Sequence, residues 1–236
     1  MKNKIKLINR GLLILGLFWI QATYAQHQFG AKLGLGISKT DPHFVNSDYS
    51  RFQVKYKPSA YLGLYYNYEL NEHFYVGADL NFSQIEGRID AQYYGGKYEL
   101  DGEVFYTWEN TANSISNYHL SYLTLPVYLG VKFKSFDMAL GCQTGLMLRG
   151  AYSSMTSYFD EEVWTESNKS SDDIGFDLLD FGANIGLGYQ LTEKWKIQAN
   201  YYQGINDLLP TDLIVIGELN PWRNNQFTLG FSYQFF

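Results

Sequence analysis

A period-two alternation of apolar and polar residues is the feature that most restricts what this chain can fold into. Near the start, apolar side chains occupy every second position from Phe29 to Ile37, with glycine, lysine or serine between them. Seven further segments repeat the pattern, at about 58–70, 74–83, 123–133, 138–148, 179–190, 195–201 and 226–235. Successive side chains of a strand point to opposite faces, so the pattern predicts eight strands with one apolar and one polar face each.

The connections between these segments alternate between short and long. Short turns at Asn71-Glu72, Lys134-Ser135 and Thr192-Glu193 follow the second, fourth and sixth strands. The other connections are long, near 39–57, 86–117, 150–176 and 204–224. Outer-membrane barrels have short periplasmic turns and longer extracellular loops. We therefore predict an all-β fold, an eight-stranded antiparallel up-and-down transmembrane β-barrel.

The first 25 residues are typical of an export signal. Four basic residues precede an apolar run at 11–20, and Thr23-Tyr24-Ala25 resembles a small-x-small cleavage site. We expect the mature barrel domain to span 26–236. The apolar run is too short for a membrane anchor, since a spanning helix needs about 20 residues. We expect export to the bacterial outer membrane.

The mature chain is acidic and rich in aromatic residues. The signal segment holds four basic and no acidic residues, so its removal lowers the net charge from −6 to about −10. Nucleic-acid binding needs a basic surface, and we exclude it. The single cysteine, Cys142, lies among apolar residues of a predicted strand, which favours a buried or lipid-facing thiol over a nucleophile.

The polar face of the predicted strands carries opposite charges that can pair inside the barrel. An eight-stranded barrel is just wide enough for its own side chains, so we interpret these residues as a structural plug. The predicted lumenal residues are Lys32, Glu69, Asp79, Asn81, Lys132, Asp137, Arg149, Asp180, Asn184 and Lys196. Two alternatives are a narrow pore through these charges and a soluble lipocalin-like barrel, which would require apolar residues inside.

A hairpin signal interrupts the second long connection. Asp101-Gly102 lies between two β-rich segments, which predicts a turn and strands that project beyond the bilayer. The alternative is a disordered loop. The long connections also carry aromatic residues able to form a partner surface, although a membrane girdle or hairpin packing would explain them as well. These residues are Tyr93, Tyr94, Tyr98, Phe105, Tyr106, Trp108, Tyr158, Phe159 and Trp164.

Two sequence segments resemble a known family. The segment 122–132, YLTLPVYLGVK, is similar to a strand with an L-x-I-P-hydrophobic pattern, and the segment 230–236 reads GFSYQFF. Together with a signal ending in Ala25-Gln26, they resemble the outer-membrane β-barrel domain proteins of Bacteroidota, which include PorT-like small outer-membrane proteins. The resemblance implies a barrel and, for the PorT-type members, an association with protein secretion and gliding systems.

The function that we expect from these features is non-enzymatic. We expect an integral outer-membrane protein that is structural in the envelope or an accessory partner of a larger, secretion-type assembly. The expected partners are outer-membrane lipid and lipopolysaccharide, together with a possible larger outer-membrane protein complex. No cofactor motif is present, so no cofactor is expected.

An alternative function is hydrolysis of membrane lipid. His119 and Ser121 share one face of the fourth predicted strand near its outer end, where a base could activate a hydroxyl against an acyl ester. A family of outer-membrane lipid A deacylases has a similar H-x-S element. A catalytic carboxylate expected about a dozen residues further on is missing, since Phe133 and Lys134 stand there. Only Glu109 or a residue of a neighbouring strand could replace it.

Metal binding receives little support from the sequence. Acidic residues make the third long connection negative, but their spacing matches no calcium loop, and a solvated charge run is the simpler interpretation. They are Asp160, Glu161, Glu162, Glu166, Asp172 and Asp173. The four histidines, at 27, 43, 73 and 119, are too scattered for a zinc site.

Overall fold

The computed structural model describes residues 27–41, 50–100, 103–160, 163–171, 176–208 and 221–235, with side chains described except at 95–111 and 159–164. The signal segment predicted at 1–25 lies outside these ranges. In the described part of the chain, no helix is long and apolar enough to cross a membrane.

Nine antiparallel strands make up the described fold. They are β1 (His27–Asp41), β2 (Ser50–Glu69), β3 (Phe74–Leu100), β4 (Glu103–Phe133), β5 (Phe136–Asp160), β6 (Val163–Ser171), β7 (Leu179–Gln190), β8 (Trp195–Gly204) and β9 (Arg223–Gln234). Eight of them close into a barrel in the order β1-β2-β3-β4-β5-β7-β8-β9, because β1 pairs with β9 and β4 with β5. The predicted eight-stranded barrel is confirmed.

The three short turns lie where the sequence predicts them, and polar side chains hold two of them. The Oδ1 atom of Asn71 accepts hydrogen bonds from the backbone N–H groups of His73 and Phe74, at 2.8 and 2.9 Å. The hydroxyl of Thr192 accepts from the N–H of Trp195 at 3.1 Å. Lys134 has a φ of 57° in the third turn, so the backbone reverses there within two residues.

The apolar face of the barrel points outward. Leu35 is 70% exposed, Leu62 61% and Leu140 66%, whereas Lys32 and Asp79 are buried inside. Such an inverted surface suits hydrocarbon rather than water. Cys142 is exposed on this outer face, among the apolar side chains. A soluble lipocalin-like barrel requires the opposite arrangement, so that alternative is wrong.

Three strands are much longer than a membrane span requires. The lengths of β3, β4 and β5 are 27, 31 and 25 residues, whereas about 9–11 residues cross a bilayer. Their outer parts, the upper part of β2 and all of β6 form one sheet in the order β2-β3-β4-β5-β6. We call this the projecting sheet; it comprises 50–56, 84–100, 103–121, 149–160 and 163–171.

The projecting sheet changes the interpretation of three predicted loops. The connections at 39–57, 86–117 and 150–176 are largely strand, and β6 is a ninth strand that the sequence did not predict. The predicted hairpin in the second connection is present, since Leu100 pairs with Glu103. Asp101 and Gly102 themselves lie outside the described residues. The disordered-loop alternative is therefore wrong for this segment.

An apolar cluster fills the outer end of the barrel where the projecting sheet begins. We call it the apolar cap; its residues are Ile85, Ile89, Tyr118, Leu120, Tyr122, Phe176, Leu208 and Trp222. Tyr118 contacts Trp222 edge to face, with ring centroids 5.3 Å apart, and stacks on Phe176 at 6.0 Å. Burial of these side chains holds the strands of the projecting sheet in order beyond the membrane span.

Backbone hydrogen bonds fix the connecting segments against the apolar cap. The N–H of Asp177 donates to the carbonyl of Leu208 at 2.8 Å, and the N–H of Leu208 donates to the carbonyl of Trp222 at 3.0 Å. The segments before β7, after β8 and before β9 therefore lie across the barrel mouth.

Candidate functional site

Ion pairs inside the barrel lumen join strands that are separated by one intervening strand. The ammonium of Lys196 lies 3.2 Å from Oδ2 of Asp137, and two further pairs join other strands of the barrel. These are Lys32 with Asp79 and Lys132 with Glu69. The structure thus brings together six of the ten predicted lumenal residues. Each charge has a partner, which offsets the cost of removing it from water.

Two tyrosines that the sequence analysis did not identify connect these pairs, because the Tyr75 ring contacts the Tyr128 ring edge to face and lies under the ammonium of Lys132. The Tyr75 hydroxyl donates to Oδ1 of Asp137 at 2.9 Å. The Tyr128 hydroxyl lies 2.8 Å from Oδ1 of Asp79 and 2.9 Å from Oδ1 of Asn67. We call the three ion pairs and these polar partners the lumenal network. The sequence contained the signal for both tyrosines. Tyr75 is an even number of residues from Asp79 on the same strand, and Tyr128 from Lys132, so each tyrosine is predicted to face the lumen.

The lumenal tyrosines pack against glycines of neighbouring strands. A Cβ atom at Gly130 would overlap the ring of Tyr75, and one at Gly77 would overlap the ring of Tyr128. Glycine on the polar face therefore provides space for a ring from the next strand. This packing explains why the barrel interior can be both polar and filled.

The buried carboxylate of Asp180 is held by the side-chain amide of Asn224, which hydroxyl groups hold in turn. Nδ2 of Asn224 donates to Oδ2 of Asp180 at 2.9 Å and lies 3.1 Å from the Tyr122 hydroxyl. The Thr40 hydroxyl donates to Oδ1 of Asn224 at 2.9 Å. Asn224 thus links Asp180 to Tyr122, directly below the apolar cap.

The predicted lumenal position of Arg149 is wrong. Ser121 lies opposite Arg149 and Tyr122 opposite Met147, so Leu148 is an extra residue of β5 at this point. A β-bulge of this kind reverses the alternation of the strand and turns a side chain to the other face. Arg149 is exposed on the outer face, whereas Met147 packs against the apolar cap.

A small polar cavity of about 80 Å³ remains in the lumen. Its lining includes Lys32, Asp79, Asn81, Asn184 and Lys196, so the remaining predicted residues Asn81 and Asn184 lie here. Oδ1 of Asn81 is buried without a hydrogen-bond partner in the protein. A polar cavity of this volume has room for a few water molecules.

A second cavity, of about 390 Å³, opens on the outer face of the barrel near the start of the projecting sheet. Two rows of outward-facing residues border it, each running across β3, β4 and β5. One row is Gln84, Ser121 and Arg149, and the other is Glu86, His119 and Ala151. We call it the outer cleft; its lining residues are Gln84, Glu86, His119, Leu120, Ser121, Arg149 and Ala151. The small side chains of Ser121 and Ala151 leave the depression between longer neighbours.

The outer cleft holds the carboxylate that the sequence analysis found missing. Glu86 stands opposite His119 on the neighbouring strand, with Oε1 at 3.3 Å from Nδ1 of His119. A carboxylate at Nδ1 orients an imidazole and leaves Nε2 for another partner. His119 and Ser121 both line the cleft, as their common parity predicts. Glu109 lies within 95–111, outside the residues whose side chains are described.

A compact charge cluster lies higher on the outer face of the projecting sheet. Nε of Arg88 donates to Oδ1 of Asp90 at 2.5 Å, and Lys55 pairs with the same carboxylate. Burial by itself would raise the pKa of Asp90, but the hydrogen bonds and positive charges of Arg88 and Lys55 outweigh burial and hold the pKa below its ordinary value.

Three of the predicted loop aromatics lie on the projecting sheet with described side chains. Tyr93 contacts Phe52 edge to face, Tyr94 lies under the guanidinium of Arg51, and Tyr158 is 39% exposed. The side chains of the remaining six lie outside the described residues: Tyr98, Phe105, Tyr106, Trp108, Phe159 and Trp164. Among described residues, no three acidic, histidine or cysteine side chains come together as a metal site. Of the acidic residues of the third long connection, Glu166 has a described side chain, and the side chains of Asp160, Glu161, Glu162, Asp172 and Asp173 lie outside the described part.

Three solved structures illustrate what the chain is similar to. The attachment invasion locus protein Ail of Yersinia pestis is 14% identical, with 89% of this chain and 99% of that chain covered and a TM-score of 0.40. Neisserial surface protein A is 10% identical (88% and 97% covered, TM-score 0.39). The outer membrane protease OmpT of Escherichia coli is 12% identical (90% and 98% covered, TM-score 0.35). With TM-scores below 0.5, these likenesses say nothing about this chain's function.

A match to a family model identifies the kind of protein. Comparison with curated proteins finds no match. Residues 22–209 match the model described as outer membrane protein beta-barrel domain. This match covers most of the chain, including the strands of the lumenal network and the outer cleft. The chain therefore belongs to the outer-membrane β-barrel domain family and is an integral protein of the bacterial outer membrane.

Proposed function

We propose that this protein is a non-enzymatic accessory subunit of a larger outer-membrane assembly, and that its projecting sheet binds the partner. The observation that carries the proposal is the length of β3 and β4, of which more than half lies beyond a membrane span. A barrel that only stabilised the envelope would not need this ordered extension. A preformed sheet lowers the entropic cost of binding, which favours a role in recognition.

The chemical character of the projecting sheet also supports binding to a protein. One face packs on the apolar cap, while the other presents Ile115, Met155 and the charge cluster around Asp90. On the cap-side face, Tyr93 and Tyr158 lie in one row and add exposed aromatic area of the kind enriched at interfaces. The resemblance to PorT-like proteins leads us to place the partner in a secretion-type assembly.

The state of the barrel interior argues against a transport role. The lumenal network fills the lower part with paired charges, and the apolar cap covers the outer end. A narrow pore would need a continuous hydrated path, and eight-stranded barrels are usually filled by their own side chains. We therefore do not propose a pore.

The proposal is tested by shortening the projecting sheet without altering the barrel. Ile89 and Ser116 are directly opposite, so residues 90–115, which include Asp90 and Ile115 of the proposed binding face, can be replaced by an Asn-Gly turn. The full-length protein, purified from native membranes after photo-crosslinking from position 155, should give a complex with one defined membrane protein. The shortened protein should lose this complex and keep heat-modifiable migration on gels.

A crosslinker at Glu193, in the opposite short turn, is the matched control and should not capture that partner. Recovery of the barrel without a crosslinked partner from both crosslinking positions would contradict the proposal. A shortened protein that keeps the complex would contradict it as well.

A second candidate function is hydrolysis of a lipid ester in the outer cleft. The observation in its favour is the contact between Glu86 and His119, which supplies the missing third group. In this scheme Nε2 of His119 accepts the proton of Ser121 as Oγ attacks the ester carbonyl. The proton then passes to the departing alcohol, and water releases the fatty acid from Ser121.

Lipid analysis distinguishes this candidate from the accessory role. Membranes from cells with Ser121→Ala should retain an acyl chain that wild-type cells remove, while the complex with the partner protein persists. Glu86→Gln should reduce the same reaction, and Ser153→Ala, on the outer face further along β5, should leave it unchanged. Identical lipid profiles in wild type and Ser121→Ala would remove hydrolysis from consideration.

A further inference from the structure

The outer cleft lies at the boundary between the lipid-facing band and the polar projecting sheet. The outward row directly below it consists of Phe82, Leu123 and Leu146, which are 45%, 38% and 43% exposed. The next outward row consists of Gln84, Ser121 and Arg149. The side chains change from apolar in one row to polar in the next, which places the cleft at the level of lipid headgroups.

The groups in the cleft match the chemistry of a phosphate. Arg149 supplies a guanidinium, Ser121 a hydroxyl and Gln84 an amide, all in one row across three strands. Arginine binds phosphate oxygens through paired N–H groups with defined geometry. Arg149 also has an interaction within the chain. Its five N–H donors allow it to keep that interaction and bind a phosphate as well.

Among the described lining residues, the one carboxylate lies in a different row from Arg149 and is engaged with His119. Glu86 lies in the second row, where its carboxylate is 3.3 Å from Nδ1 of His119. The bulge at Leu148 is an independent observation, because without it Arg149 would point into the lumen. Bulges that redirect a side chain are frequent next to functional sites.

We propose that the outer cleft binds the phosphate-bearing headgroup of an outer-leaflet lipid, with Arg149 as the main contact. Acyl chains of the bound lipid then lie along the exposed row of Phe82, Leu123 and Leu146. The proposal concerns binding and requires neither hydrolysis at Ser121 nor a partner on the projecting sheet. The ligand class is a phosphorylated glycolipid or phospholipid of the outer leaflet.

The test compares lipids that differ only in phosphate. Full-length protein purified from membranes in detergent is titrated with bisphosphorylated lipid A and with dephosphorylated lipid A, and occupancy is followed by native mass spectrometry. Bisphosphorylated lipid A should bind about tenfold or more tightly than the dephosphorylated form, as expected for hydrogen bonds to a charged group. Arg149→Gln should weaken binding of the phosphorylated form by a similar factor, and Arg149→Lys by less.

Arg51→Gln is the matched control, because Arg51 is an arginine of the same outer face that contacts Tyr94 away from the cleft. Its affinity for lipid A should equal that of wild type. Equal binding by wild type and Arg149→Gln, or by the two forms of lipid A, overturns the proposal. Displacement of lipid A by millimolar inorganic phosphate alone would also overturn it, since the cleft would then bind free phosphate. Heat-modifiable migration confirms that each variant is folded.

Discussion

Neighbouring residues of this protein occupy opposite environments. Lys32 and Asp79 form a buried ion pair in the lumen, whereas the adjacent Leu33 and Leu80 are 53% and 49% exposed on the outer face. A one-residue shift in a strand would place the ion pair in lipid and the leucines among charges. The large cost of both errors ties each side chain to its face.

Replacement of Leu187 by arginine tests this assignment at one position. Leu187 is 52% exposed on the apolar face of β7. Leu187→Arg should destabilise the barrel by roughly 2 to 4 kcal/mol if the residue lies near the bilayer midplane. Urea unfolding in lipid vesicles, followed by tryptophan fluorescence, measures the change.

The neighbouring Gly188 provides the contrast. A Cβ atom at Gly188 would lie 2.5 Å from Oδ2 of Asp137, so Gly188→Ser should chiefly disturb packing in the lumen. Unchanged folding of Leu187→Arg, together with quenching by a lipid-soluble quencher of probes at positions 180 and 184, would mean that inside and outside are exchanged.

Gly130 tests the packing of tyrosine rings on glycine. A Cβ atom at this position would overlap the Tyr75 ring, so Gly130→Ala should reduce stability by about 1 to 3 kcal/mol through overpacking. At Gly186 the nearest atom is the mobile Oδ1 of Asn200, at 3.0 Å, and Gly186→Ala should cost less. Combining Gly130→Ala with Tyr75→Ala should relieve part of the strain in urea unfolding. Equal losses in the two alanine variants would argue against ring packing.

Among the strands, β3 and β4 combine two tasks in one continuous element. Their lower parts line the lumen through Asp79 and Tyr128, and their upper parts form the projecting sheet. The same alternation continues through both parts, but the inner face changes from polar residues to the apolar side chains of Ile85 and Ile89. The strands therefore remain ordered after they leave the membrane.

The charge cluster on these strands predicts a pH dependence of the projecting sheet. The pKa of Asp90 is lowered in the folded protein, so its ion pairs contribute stability above the ordinary value of 3.8 and lose it as the pH falls through the lower, folded-state pKa. Asp90→Asn should reduce stability at pH 7 by at most about 1 kcal/mol, because the group is partly exposed.

The difference in urea midpoint between wild type and Asp90→Asn should shrink as the pH falls below 3.8. Gln92→Ala, next on the same face of β3, serves as the control and should differ from wild type by the same amount at every pH. A gap between wild type and Asp90→Asn that widens towards acid would contradict the assignment.

As a whole molecule, the protein is a filled barrel with a one-sided extension. The short strands β7, β8, β9 and β1 end near the barrel mouth. Strands β2 to β5 continue beyond it on one side, where β6 pairs with β5. The apolar cap lies between the two halves and belongs to both. Barrel and extension consequently share packing and are expected to unfold together.

The filled interior predicts that the barrel does not conduct. Protein refolded without residues 1–25 should give β-rich circular dichroism and heat-modifiable migration. In planar bilayers it should show no conductance steps, because the lumenal network and the apolar cap fill the described part of the lumen around a cavity of about 80 Å³. Helical spectra would contradict the fold, and reproducible steps in conductance would favour the narrow-pore alternative.

The sequence by itself determined the barrel, its eight spanning strands, its short turns and the direction of most side chains. The reason is local: covalent geometry makes side chains alternate in every strand, so Leu33 and Lys32 can be assigned without knowing their neighbours. Turn residues such as Asn71 act through their own backbone. The lumenal position of the six charges in the ion pairs follows from that parity, whereas the partner of each charge depends on strand register.

Only the tertiary structure decided the features that depend on how strands align with one another. The bulge that turns Arg149 outward arises from the pairing of β4 with β5, and the contact of Glu86 with His119 from the pairing of β3 with β4. The extension of β3, β4 and β5 depends on packing against Phe176 and Trp222, which are distant in sequence. Register and long-range packing are properties of residue pairs, so no single segment of sequence contains them.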